Sequence, residues 1–478
     1  MEGLELHKDR LATTDEKGRR VYLYPADVRG VFRDRRNWLQ AILLLIFLGL
    51  PWVSVNGKQA LLLDVSTRHF EIFGLSLRAH NAPLFFFVLA ASGFGLFFAT
   101  AIWGRVWCGW ACPQTVFVDA VFRRIERVIE GSALDRRRLD ASPMSLQKAF
   151  KRTLKWALYT LASLIITHSF LAYFVGTREL ALMVQHSPSE NWTSFLFIVF
   201  STTIILFDFA WFREQFCIIA CPYGRFQSVL MDEHSMIVAY DEKRGEPRRT
   251  PQNKDLAKTQ PGAIGDCVNC YRCVQVCPTG IDIRRGTQME CIACTACIDA
   301  CDDVMTKIKK PTGLIRYDSY NGLHGKPVRR LRARSGLYLL ITAASLVALT
   351  FFIWNLKPVD IALLRAKTSP YTVTKLANGS EVVINHFYLE LSNQTDQTHI
   401  IDIALSDQAI NDGAEIVMAQ RPISLDAGRL KRADFFLKLP REKFINGSYK
   451  TVAKVIERGA DANDSREYEK EVQFVGPF

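Results

Sequence analysis

Eight cysteines fall into two runs, Cys267, Cys270, Cys273 and Cys277 followed by Cys291, Cys294, Cys297 and Cys301. Each run reads CxxCxxCxxxC, a spacing at which three thiolates wrap one face of an iron–sulfur cube while the fourth is carried to a neighbouring cube. On that crossed pattern Cys267, Cys270, Cys273 and Cys301 hold one [4Fe-4S] cluster, and Cys291, Cys294, Cys297 and Cys277 hold the other. Paired CxxC units also suit zinc, but zinc takes its ligands from two separated pairs, not from a repeated run of three plus one. Pro278 closes the first run; Asp302 occupies the matching place in the second, which leaves the ligand set intact. The chemistry implied is one-electron transfer.

The other four cysteines make a second repeat: Cys108 to Pro113 and Cys217 to Pro222 both read CxxxCP. On a continuous helix residues i and i+4 face one way, so each motif is expected to present two sulfurs on one surface. Two such surfaces brought together make a four-thiolate site, whose soft donors select Cu(I), zinc or iron–sulfur units over hard cations. Cys108, Cys112, Cys217 and Cys221 are therefore candidate catalytic residues and a candidate copper site. Inert cysteines packed for their apolar character are the plainer account, but matched spacing with matched prolines favours the first.

The elements that must position these thiols are membrane helices. Five apolar stretches, Trp38–Val55, Leu84–Trp103, Trp156–Val175, Trp192–Phe212 and Gly336–Leu356, each have the roughly 18 to 21 residues that a bilayer requires, and tryptophans mark their ends. Nine Lys or Arg precede the first stretch and eleven lie between Gly104 and Lys155, whereas 56–83 carries three and 176–191 only Arg178. Basic loops stay inside, so the N terminus is expected in the cytoplasm and the C terminus, after five crossings, outside. No cleaved signal segment is expected ahead of the first stretch. Loops facing anionic lipid account for the net charge of +12 without nucleic acid, for which no fold signature is present. All twelve cysteines fall on the side expected to be reducing, where thiols serve metals rather than disulfides. His168 and Asp208, in or near stretches, are candidates for proton handling; a histidine bonded to its own helix is an equally good account of the former.

Between Asp241 and Asp266 the chain is rich in Gly and Pro and reads as a linker. Lys307, Lys309 and Lys310 read as a solvated face with a turn after them. Beyond the last stretch, Glu381–Leu391, Ile400–Leu405, Ala433–Leu439 and Tyr449–Glu457 alternate as strands do, with turns at Asn378-Gly379, Asp412-Gly413, Asp426-Ala427-Gly428 and Asn446-Gly447. That spacing predicts a β-sandwich, with no cysteine and no catalytic cluster.

Specific stretches carry a resemblance: Cys108-Gly109-Trp110-Ala111-Cys112-Pro113-Gln114-Thr115, Trp211 to Cys217, Cys221 to Gln227, Arg244 to Arg248 and Gly313 to Tyr317. Together with the double cysteine run they resemble the FixG/RdxA/CcoG family of bacterial membrane iron–sulfur proteins over nearly the whole chain. The resemblance implies a multi-domain membrane protein with an α-helical bundle of five transmembrane helices. Its parts are a cytoplasmic arm (1–37), four transmembrane helices with the two CxxxCP motifs (38–231), a linker and cytoplasmic two-cluster bacterial ferredoxin-like domain (232–334), a fifth transmembrane helix (335–356) and an exported, periplasmic immunoglobulin-like β-sandwich (357–478). It implies two [4Fe-4S] clusters and reduction of Cu(II) to Cu(I) for assembly of a cbb-type cytochrome oxidase in the inner membrane. The implied partners are oxidase assembly components or copper-delivery proteins, a cytosolic electron donor and membrane lipid. A quinone-linked respiratory carrier and a redox-sensing assembly scaffold are the alternatives. A more distant likeness, to membrane subunits feeding nitrate or nitrous-oxide respiration, rests on the CxxxCP repeat.

Overall fold

A computed structural model describes residues 13, 14, 17, 19–66, 69–78, 82–250, 252, 253, 263–355, 359–366, 369–375, 380–393, 395, 397–458 and 465–477. The chain divides into two compact units, Met1–Arg68 with Ala82–Thr350, and His69–Asn81 with Phe351–Phe478.

In the first unit, α1 runs over Val31–Gly49, α2 over Ala82–Trp103, α3 over Leu146–Val175, α4 over Trp192–Leu206 and α5 over Ala333–Trp354. Wider π turns extend α4 to Phe212. Among the described residues four helices, not the expected five, are long and apolar enough to cross a membrane: Leu84–Trp103, Leu146–Val175, Trp192–Phe212 and Ala333–Trp354. The first expected stretch is divided. Its helix starts early, with Arg33, Asp34, Arg35 and Arg36 in the opening turns, and gives way to a 3-10 turn at Leu50–Trp52. Pro51 has no N–H to continue the α ladder. Gly30, which precedes α1, has no side chain to cap it, and Asp299 supplies the cap from far along the chain. Its carboxylate accepts from Phe32 N at 3.2 Å and Arg33 N at 2.7 Å, the arrangement a helix N-terminus favours. A Cβ at Gly30 would lie 2.4 Å from Asp299 Cγ.

Charges are buried between the helices, and each is paired. Glu126, on the short helix Arg123–Glu130, is 1 % exposed. It accepts from Arg213 at 2.6 Å, Tyr159 at 2.7 Å, Arg136 at 2.8 Å and Tyr22 at 3.0 Å. Burial alone would raise its pKa, but Arg213 and Arg136 outweigh burial and bring it down to about 2. The stability this contributes is whole above the ordinary carboxylate range and is lost as pH falls toward that value. Glu126→Gln strands two buried guanidiniums and should cost about 3–5 kcal/mol, read as a lower unfolding temperature in detergent.

The segment expected to be a linker is partly built into the cysteine-rich module. Ile237–Tyr240 pairs antiparallel with Ile315–Asp318, Asp241 caps the turn of helix Glu242–Gly245, and Arg244 Nε meets Asp266 at 2.7 Å. A two-stranded ribbon leaves one face to bury, and Val238, Ile283, Ile298, Met305, Leu314 and Ile315 bury it.

The second unit is a sandwich. Its strands are β1 Val359–Arg365, β2 Thr372–Lys375, β3 Glu381–Asn393, β4 His399–Leu405, β5 Glu415–Met418, β6 Ile423–Leu425, β7 Leu430–Pro440, β8 Ser448–Arg458 and β9 Ser465–Val475. One sheet runs β5-β7-β3-β1 with β2 also on β3; the other runs β6-β4-β8-β9. Alternate residues such as Leu389, Leu391, Leu437, Ile401, Val455 and Phe474 fill the space between the sheets. Gly413, Gly428, Asn446 and Gly447 take the positive φ that their expected turns require; Asn378-Gly379 lies outside the described residues.

Candidate metal centre

The two cysteine runs fold alike. In the first, Asn269 and Tyr271, which flank Cys270, have φ of 57° and 57°; in the second, Ala293 and Thr295, which flank Cys294, have φ of 54° and 63°. Four non-glycine residues in the left-handed region are costly. Their repetition at matched places shows the same backbone winding around the middle cysteine of each run. Helices Arg272–Gln275 and Ala296–Lys307 then carry the fourth cysteine of each run away.

The last cysteine of each run feels the charge of thiols in the other run. Burial pushes Cys301 up to about 12, and Cys273, Asp302, Cys267 and Cys270 push the same way. Burial likewise raises Cys277 to about 11, with Cys294 adding to it. Cys291 is raised to about 12 by burial, with Cys277 and Cys294 again its thiol neighbours. Each last cysteine thus has thiols of the opposite run among its neighbours. A cavity is lined by Cys273, Cys277, Cys291, Cys294 and Cys297, with Ile281 and Ile283 in its wall. Among the described residues no three His, Cys, Asp or Glu are arranged to hold a single metal ion. A cubane makes no such demand, since each thiolate meets its own iron, and the residues present fit two [4Fe-4S] clusters.

Arg284 braces the first run. It donates to Asn269 Oδ1 at 2.7 Å, stacks 4.2 Å from the Tyr271 ring and is clamped by Asp282 at 2.7 Å. Its charge reaches Cys273 and Cys267. Nothing in the cysteine spacing points to it.

The two CxxxCP motifs also fold alike, though not as the expected continuous helix. Cys108 sits in the short helix Val106–Trp110 and Cys217 in the π turn Phe216–Ala220. Cys112 (ψ 129°) and Cys221 (ψ 112°) are extended and begin new helices at Pro113 and Pro222. A residue ahead of proline is driven out of the helical region, while proline itself suits a first helical position. Four residues before each motif the membrane helix is broken by a positive φ, at Gly104 (58°) and Arg213 (51°). The first is visible in sequence; the second is an arginine held there by its bonds to Glu126, Tyr159 and Ala210.

These breaks gather all four thiols. Burial raises Cys217, with Cys112, Cys108 and Cys221 among the charges acting on it. Burial also raises Cys108 to about 11, although Gln227, fully buried, donates to its sulfur at 3.3 Å. Backbone N–H groups of Gln114 and Thr115 favour the thiolate of Cys112 against the effect of burial. The site lies against the second run. A Cβ on Gly109 would stand 2.5 Å from Ala293 O and 2.6 Å from Ile292 O. Arg36 donates to Gly109 O at 2.7 Å and to Cys294 O at 3.4 Å. Trp110 Nε1 bonds Tyr317 Oη at 3.0 Å, which bonds Ala293 O at 3.1 Å.

Of the remaining expected residues, His168 bonds its own helix at Leu164 O, 2.8 Å. Asp208 accepts from Gln114 Nε2 at 3.0 Å. Lys307 and Lys310 meet Asp303 and Asp266, each at 2.6 Å.

Family models match three regions: a 4Fe-4S binding domain over residues 84–130, a 4Fe-4S dicluster domain over 212–320, and the IG-like fold at the C-terminal of FixG over 349–477. Protein RdxA of Cereibacter sphaeroides is 37 % identical over 409 residues, covering 82 % of this chain and 83 % of its own. Protein RdxB of the same organism is 36 % identical over 417 residues, 83 % of this chain and 84 % of its own. The nitrogen fixation protein FixG of Rhizobium meliloti is 41 % identical over 313 residues, 63 % and 57 %. With its paired cysteine runs, apolar helices and terminal sandwich, the chain belongs to the FixG/RdxA family of membrane ferredoxin-type iron–sulfur electron-transfer proteins.

Proposed function

We propose that this protein is a cupric reductase of the bacterial inner membrane, delivering Cu(I) to cbb-type oxidase assembly components or copper-delivery proteins. One observation carries the reading: four half-buried thiols, close enough to act on one another's charge, adjoin the second cysteine run, where Gly109 packs against the backbone of Ile292 and Ala293. The clusters, when bound, supply electrons one at a time at low potential. Cu(II) is the substrate, and each takes one electron to become Cu(I), the soft ion that thiolates prefer. Cys108 and Cys217 lose their protons as they take the metal, Gln227 steadies the Cys108 sulfur, and Gln114 and Thr115 steady Cys112. Three methionines, Met231, Met236 and Met289, line a cavity with Cys291 and add soft donors nearby.

In this reading α1 also crosses the membrane. Arg36 anchors it beside Cys294, while Tyr173, near the other end of α3, donates to Phe47 O at 2.8 Å. Five crossings and the basic loops put the N terminus and clusters in the cytoplasm and the sandwich outside.

A second reading places a third [4Fe-4S] cluster on the same four thiols. It is favoured by the match of residues 84–130 to a 4Fe-4S binding domain, a region whose cysteines are Cys108 and Cys112. Anaerobic protein reduced with dithionite and given Cu(II) with a Cu(I)-specific chelator should form Cu(I) at a rate that falls at least tenfold in C108S/C217S. Equal rates would remove these thiols from the reaction. Iron analysis separates the readings: about eight irons per chain leaves the thiols for copper, and about twelve assigns them to a cluster.

A further inference from the structure

A second feature adjoins the clusters and has no part in copper chemistry. Between the arm that leads into α1, the helix Arg123–Glu130 and the second cysteine run lies an open cleft. Its lining holds seven arginines against three aspartates, a surplus of four positive charges, and includes Cys294 and Pro278. Several of these arginines are already committed. Asp119 pairs with Arg36, Arg123 and Arg33, and Arg136 pairs with Glu126. Of the other three, only Arg127 has a carboxylate partner among the described residues, in an exposed ion pair. Arg29 is exposed; among the described residues Arg124 reaches only Asn37 Oδ1, at 3.5 Å, and Arg127, 55 % exposed, reaches Asp27 at 3.4 Å. Deeper in the wall, Arg123 Nε and Arg136 Nε are buried without an acceptor among the described residues.

A concave surface with surplus guanidinium groups and unmet N–H donors selects an anion whose oxygens accept several bonds at once. Low-dielectric walls strengthen that attraction. We propose that this cleft binds a phosphate-bearing ligand, with Arg29, Arg124 and Arg127 meeting its oxygens, directly beside the Cys294 edge of the second cysteine set. Two sources share this chemistry: a soluble nucleotide, for which the location would place a phosphorylated electron donor next to a cluster ligand, and the headgroup of an anionic phospholipid.

The test uses the full-length holoprotein in detergent. Titration calorimetry with inorganic pyrophosphate and with a nucleoside diphosphate measures the soluble arm. Mass spectrometry of co-purifying phospholipid, and binding to nanodiscs with and without phosphatidylglycerol, measure the lipid arm. R124Q/R127Q alters two surface-reaching arginines outside the buried Glu126 network. It should weaken binding at least tenfold in whichever arm is positive, with the iron content and cluster EPR signal of wild type retained. R35Q, an exposed α1 residue outside the cleft, should leave binding unchanged. Pyrophosphate or nucleotide binding lost in the double variant identifies a soluble ligand; retained phospholipid lost in the double variant identifies a lipid. Failure of the wild type to bind in both arms, or equal binding by the double variant, overturns the proposal and leaves the copper chemistry untouched.

Discussion

A Cys301→Ser chain should purify with about four irons in place of about eight, and the cluster it loses should be the one whose other ligands lie in the opposite run, Cys267, Cys270 and Cys273. Position in the sequence would give the reverse outcome, because Cys301 ends the run that begins at Cys291. Arg284 identifies the survivor. Its guanidinium acts on Cys273 and Cys267, so in the wild type Arg284→Gln should lower one midpoint potential by roughly 40 mV, the equivalent of about 1 kcal/mol for one electron and a partly screened charge. In the Cys301→Ser background that shift should vanish, since the cluster beside Arg284 is gone. In Cys277→Ser, where the other cluster is lost, the shift should persist. A potentiometric EPR titration reads both, and a surviving Arg284-sensitive signal in Cys301→Ser would mean that each run keeps its own fourth ligand.

The second large effect is expected from the smallest side chain. Gly109→Ala puts a methyl group 2.5 Å from one backbone oxygen and 2.6 Å from another, and backbone cannot swing aside as a side-chain tip can. The CxxxCP turn and the Ile292–Ala293 turn must separate, at a cost on the order of 1–3 kcal/mol. Both clusters should still load, because no ligand changes, but Cu(I) formation should drop at least tenfold as the gap widens. Gly93→Ala is the control: it lies in α2 with nothing within 4 Å of its added carbon, and it should behave as wild type. Loss of iron in Gly109→Ala would instead show that the contact holds the module together.

These tests depend on features of different legibility. The cysteine runs are readable from spacing because a cube dictates where its ligands stand; the exchange of Cys277 and Cys301 between the sets is what the Cys301→Ser chain tests. The sandwich strands are readable for a similar reason. Alternation marks their buried face, so Glu381–Leu391 and Tyr449–Glu457 differ from β3 and β8 by one or two residues at an end. The shorter β2, β5 and β6 have too few residues to show a period. The CxxxCP motifs were legible as a pair but not in shape, since a four-residue interval fits one helix face until the proline after it is allowed to act. The end of α1 is not legible because hydropathy follows composition: its apolar stretch continues through Pro51, where the α ladder cannot. Arg213, Arg284 and Asp299 left no local signal. Each works on groups far away in sequence, and each is an ordinary charged residue until the fold brings its partner.

The exchange of Cys277 and Cys301 between the two runs also has a bearing on biosynthesis. A nascent chain that has emerged only as far as residue 290 offers one metal set three ligands and the other a single ligand, so neither can mature. On the crossed pattern the second set is complete once Cys297 is made and the first only at Cys301, shortly before the apolar segment beginning at Ala333. On that pattern the two centres become loadable within four residues of one another, and a product cut before Cys291 completes neither set.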